Sequence, residues 1–101
     1  MMEYKSKLQN EELDLLFEAI LKLNTIEDCY RFFEDICTIN EIKSLEQRLQ
    51  VAKMLQEKKT YQEIAYKTGA STATISRVNK ALNYGSDGYK TVLERIDLNN
   101  E

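Results

Sequence analysis

The sequence predicts an all-α protein of six helices. Apolar residues recur at the three- and four-residue spacing of a helix face, not in the alternation of a strand. Capping residues punctuate the chain at intervals of about one helix. The 101 residues contain no proline and only three glycines, so the tight turns of a β protein have few places to form.

The first helix starts at Asn10, a suitable N-cap, and carries Leu13, Leu16, Phe17, Ile20 and Leu21 on one face. Thr25-Ile26-Glu27-Asp28 is a loose capping box. It opens a second helix with the stripe Ile26, Cys29, Tyr30, Phe33, Ile36 and Cys37. Thr38-Ile39-Asn40-Glu41 is a fuller box. The third, longer helix that follows should face Ile42, Leu45, Leu49, Ala52 and Leu55 inward. Glu57-Lys58-Lys59 is a polar connector, and Thr60-Tyr61-Gln62-Glu63 is a further box that opens the fourth helix. The fifth runs from about Thr72 to Tyr84. Gly85-Ser86-Asp87-Gly88 should end it with a left-handed glycine in a Schellman-type stop. Tyr89, Val92, Leu93 and Ile96 mark a short last helix, and Leu98-Asn99-Asn100-Glu101 should fray. No repeat or linker interrupts the chain, so residues 1–101 are expected to form one domain.

At 43% apolar residues the core is modest. A domain this small often gains stability by burying surface between subunits. The start, Met1-Met2-Glu3-Tyr4-Lys5, lacks a signal pattern, and no apolar run reaches the roughly 20 residues that span a bilayer. A cytoplasmic protein with no membrane partner is expected.

Chemistry-bearing residues are sparse. There is no histidine, the usual acid–base group near neutral pH. Glu11-Glu12 and Glu34-Asp35 read as solvated helix faces. Cys29 and Cys37, eight apart and without a CxxC, fall short of a four-ligand zinc site and read as reduced core thiols. No enzyme, metal or cofactor is expected.

Charge is uneven. The net −3 divides into −6 over residues 1–42, +5 over 43–80 and −2 over 81–101. A local basic block suits phosphate contact better than the overall sign suggests. Within it, Ala65 is small where a following helix would cross. Gly69 sits where the chain must reverse, and Ile75 and Val78 can point back into the angle between two helices. That spacing is a helix-turn-helix over about residues 61–83, with its turn at Thr68-Gly69-Ala70. Ser71, Thr72, Ala73 and Thr74 open the recognition helix, and Ser76, Arg77 and Lys80 continue its exposed face. Such residues meet base edges and phosphates of double-stranded DNA when a helix enters the major groove. Thr60, Tyr61 and Gln62, at the start of the preceding helix, are candidates for phosphate contact. Tyr61 is equally suited to packing.

The stretch from Gly69 to Arg77, with Thr38, Glu41, Leu45, Arg48, Leu49 and Leu55 upstream, resembles the tryptophan repressor family, and within it the YerC/YecD type of Gram-positive bacteria. The resemblance covers about residues 10–97. It implies an intertwined all-α homodimer that presents two recognition helices to a pseudo-palindromic site, with half-sites roughly 34 Å apart. It implies a transcriptional regulator, usually a repressor. Thr38, Arg48 and Arg77 match the family's effector pocket. The family has glycine after the second arginine and a serine further along. Here Val78 and Ala81 stand in those places, and a valine would fill space the indole needs. Tryptophan is therefore not expected as corepressor, and other small effectors stay open. Arg48 is then expected in a surface ion pair with Glu46 or Glu41, and Arg77 on DNA. The competing reading, motivated by the acidic residues 1–42, is a helical module that docks on another regulator.

Overall fold

A computed structural model describes residues 4–99, and the six predicted helices are present, with no strand among the described residues. They are α1 (Glu11–Ile20), α2 (Ile26–Ile36), α3 (Ile39–Gln56), α4 (Tyr61–Thr68), α5 (Thr72–Tyr84) and α6 (Gly88–Asn99). The expectations placed on residues 1–3 and on Asn100 and Glu101 lie outside the described residues. The chain divides into two compact units, Met1–Thr38 and Ile39–Glu101.

In the first unit, side chains close the helix starts. The Asn10 Oδ1 accepts from the Leu13 amide at 2.7 Å, and Glu11, Glu12 and Asp14 place negative charge at the positive end of α1. Thr25 Oγ1 accepts from the Asp28 amide at 3.0 Å. The loose box resolves differently from a full one: the Asp28 carboxylate accepts from Asn24, one residue before the cap, at 3.1 Å. Glu27 and Arg31, one turn apart, form an exposed salt bridge at 2.9 Å. No described residue of this unit is buried. Leu21 is 82% exposed, Ile26 77% and Leu15 67%. Cys29, expected in the interior, is exposed, and Cys37 is half-buried; both are free thiols. On the apolar stripe they share, Ile26, Tyr30 and Ile36 are exposed and Phe33 is half-buried, so the helix period identified a face without supplying its cover.

The second unit holds the core. Val51 and Ala52 of α3, Ile64 of α4, Ala70 of the turn, Ile75 and Val78 of α5, and Leu93 of α6 form one buried cluster. Met54, Leu55, Ala65 and Tyr89 pack against its edge. The inward face of α3 is corrected here. It centres on Val51 and Ala52, while Leu45 and Leu49 are exposed. Those leucines lie on a neighbouring stripe, and Leu49 lines an apolar cleft with Ala81, Tyr89 and Val92 of α5 and α6.

Two chain reversals also differ from expectation. The Schellman stop lies at the end of α3: the Lys58 amide donates to Leu55 and the Lys59 amide to Met54, both at 3.1 Å. Lys58 is left-handed there, with φ of 65°. Gly85 is not left-handed (φ −90°, ψ −148°), and the positive φ in that connector belongs to Asp87, at 66°. Glycine is needed at 85 for space instead, because a Cβ there would press into the carbonyl oxygen of Ala81. The last helix is not short. It runs through Leu98 and Asn99, which were expected to fray.

Candidate nucleic-acid interface

Thr60 and Glu63 cap α4 reciprocally. The Glu63 amide donates to Thr60 Oγ1 at 3.1 Å, and the Thr60 amide donates to Glu63 Oε2 at 3.0 Å. Ile64 turns inward with no exposed surface, and Ala65 packs at the core's edge. Thr60, Tyr61 and Gln62 remain on the exposed side. Tyr61, at 37% exposure, keeps its ring partly open to solvent.

The turn is built as its residues require. Gly69 has φ of 73° and ψ of 6°, and its amide donates to the Ala65 carbonyl at 2.9 Å. Thr68 Oγ1 donates to the Ile64 carbonyl at 2.7 Å and accepts from the Ala70 amide at 3.1 Å. Ala70, only 5% exposed, closes the turn against the core. A Cβ on Gly69 would meet nothing within 4 Å, so Gly69→Ala isolates the backbone cost. We expect it to lower stability by about 1–2 kcal/mol in a denaturant titration, the penalty for a left-handed L-residue. An unchanged midpoint would show that the turn relaxes without strain.

One further contact was not foreseen. Gln47 of α3 reaches across 21 positions of sequence, and its Nε2 donates to the Thr68 carbonyl at 3.1 Å. Gln47 belongs to no motif read from the sequence, and Thr68 was placed only as the first residue of the turn. No periodicity pairs a glutamine with a backbone carbonyl that distant.

Ser71 caps α5 by accepting from the Thr74 amide at 3.1 Å, and its hydroxyl donates to Thr74 Oγ1 at 3.1 Å. Ile75, Val78 and Leu82 form the buried face of α5. Thr72, Ala73, Ser76, Arg77 and Lys80 are exposed, whereas Thr74 is half-buried. Most of the predicted contact set therefore shares the open side of one helix.

The proposed effector residues are distributed as follows. Thr38 ends the first unit and is exposed, Arg48 is exposed on α3, and Arg77 is exposed on α5. Val78 is 3% exposed and belongs to the core. Arg48 is not seen in the expected ion pair, unlike Arg31, which pairs with Glu27. Glu46, two residues from Arg48, projects from another side of α3, and Glu41 is two turns away. No group of three or more metal-ligating side chains occurs among the described residues.

Two helices joined by a three-residue reversal, the second capped by Ser71 and exposing small polar and basic residues, define a helix-turn-helix protein. The family model described as Trp repressor protein matches residues 11–97. The chain belongs to the Trp repressor family, whose fold carries DNA-binding regulators. It is 61% identical over 90 residues to the uncharacterized protein YerC of Bacillus subtilis (strain 168), covering 89% of this chain and 86% of that one. A crystal structure of a TrpR-like protein from Eubacterium eligens ATCC 27750 superposes with a TM-score of 0.87 at 62% identity, covering 90% of this chain and 94% of the other. A Staphylococcus aureus chain described as a candidate Trp repressor matches with the same TM-score at 55% identity, covering 90% and 91%.

Proposed function

We propose that the protein is a sequence-specific DNA-binding transcriptional regulator, acting as a repressor on pseudo-palindromic sites as an intertwined homodimer in the cytoplasm. The observation that carries this reading is the division of α5. Ile75, Val78 and Leu82 are buried, while Thr72, Ala73, Ser76, Arg77 and Lys80 face outward from the capped end. An exposed helix opening with free amides and nearby cations suits a major groove flanked by phosphates. Tyr61 and Gln62, exposed at the start of α4, are assigned to the backbone on one side of the groove, with Thr60.

The dimer is supported by the open apolar surface of residues 4–38. Leu15, Phe17, Leu21, Ile26 and Tyr30 are each more than half exposed, which is costly for a free chain. Tryptophan is not proposed as an effector, because the core position of Val78 leaves a side chain where the family carries none. Among the described residues no helix is long and apolar enough to cross a membrane.

The test is titration of genomic duplex fragments at rising salt, with the mass of the complex read by light scattering. Binding with a steep negative salt slope and two protomers per site is expected. Failure to bind any duplex at low salt would refute the reading. The acidic balance of residues 1–42 favours one rival, a module that docks on another regulator and uses α4 and α5 only for packing.

A further inference from the structure

The polar ties of the turn between α4 and α5 are nearly all local. Gly69 binds back to Ala65, and Thr68 Oγ1 links Ile64 to Ala70. These bonds shape the turn but do not orient it on the rest of the unit. The core packing of Val51 and Ala52 against Ile64, Ala70 and Ile75 holds it in place. Apolar contact is non-directional, so it fixes distance better than angle. The Gln47–Thr68 bond differs in both respects. It is directional, partly buried, and joins the turn to a different helix. Its acceptor is the carbonyl of the last residue of α4, a group with no partner inside that helix.

We propose that Gln47 is a positioning residue for operator readout: its side-chain amide sets the angle at which α3 presents the turn, and hence the opening of α5. The assigned role is indirect, through the bond that its side-chain amide makes to Thr68. It holds Thr68, three residues before the Ser71 cap, so a small tilt at the turn is carried directly to Thr72 and Ala73. Arg48, the next residue of α3, is exposed.

This inference rests on the DNA-binding reading, and the experiment separates the two. The unaltered protein first selects a duplex from random sequence. Its affinity for that duplex and for a scrambled duplex of equal length is then compared with two variants. Gln47→Leu keeps the bulk and removes the donor. Gln47→Asn keeps the amide but is one methylene too short to reach Thr68. Both are expected to bind the selected duplex about 3- to 10-fold more weakly, the value of one hydrogen bond to geometry. Affinity for the scrambled duplex and the salt slope should stay unchanged, because no phosphate contact is lost. Faster amide exchange at Gly69 and Ala70 should accompany the loss in free protein. A merely stabilising role would lower the melting temperature and leave the ratio of the two affinities alone. An unchanged ratio in either variant overturns the proposal. Failure of the unaltered protein to bind any duplex would instead overturn the DNA-binding reading, and this assignment with it.

Discussion

Arg77→Ala combined with Lys80→Ala should weaken binding to a selected duplex by about 10- to 100-fold, the largest functional effect expected of any exposed pair. Both side chains are exposed on α5, one turn apart, and neither forms an ion pair among the described residues. Their removal therefore costs the fold little, since exposed charges away from special features seldom matter to stability. The loss should come in two separable parts. If each cation meets a phosphate, the slope of log affinity against log salt becomes shallower by about two. If Arg77 reads a guanine edge, its single variant also relaxes preference at one position of the site. A variant that binds like the unaltered protein would favour the docking-module reading, in which α5 serves packing alone. Competition binding at two salt concentrations distinguishes all three results.

Ile75→Ala should be the most damaging substitution for stability. Ile75 has no exposed surface and sits where α3, α4 and α5 converge. Removing its outer carbons leaves a cavity that neighbouring side chains cannot fill without shifting Val51, Ile64 or Val78. Such changes cost about 2–5 kcal/mol, against a total stability of about 5–15 kcal/mol for a domain. Ile75→Val, which removes one methyl, should cost about 0.5–1.5 kcal/mol. Urea titration of both variants gives the comparison. Equal midpoints for Val and Ala would mean that the site collapses on itself and is not a rigid part of the core. Because Ile75 lies on the inner side of the helix whose outer side is proposed to meet DNA, Ile75→Ala should also blur operator selectivity before the unit unfolds.

The local grammar of this fold was legible because caps and turns are short-range. The Thr60 box, the Asn10 cap and the left-handed Gly69 each depend on residues at most four apart, and each is found as expected. The helix faces were legible as faces, but not always with the right partner. Leu45 and Leu49 satisfy the same period as Ala52, yet the buried cluster with α4 and α5 forms around Val51 and Ala52 and leaves both leucines exposed. Periodicity gives an angle around an axis and says nothing of what stands opposite. The same gap explains Cys29, which has the right phase for burial but remains exposed. Lys58 shows a different limit. A left-handed stop usually advertises itself with glycine or asparagine, and a lysine there gives no signal, so the prediction moved to Gly85. Of the interface, the exposed residues of α5 could be read from spacing. The Gln47 tie that orients them could not, because it joins a side chain to a backbone group.

The first 38 residues carry a consequence of a different kind. With no buried side chain of their own, α1 and α2 gain little from internal packing, and helices of 10 and 11 residues are marginal alone in water. Their order then depends on a companion that covers them. If that companion is a second copy, mass action governs the structure itself: abundant chains shelter one another, while scarce chains keep fraying segments open to proteases. Dosage would then decide how long each molecule survives as well as how many operators are filled. A regulator built on that dependence would clear its own stragglers and hold a threshold set by its own concentration.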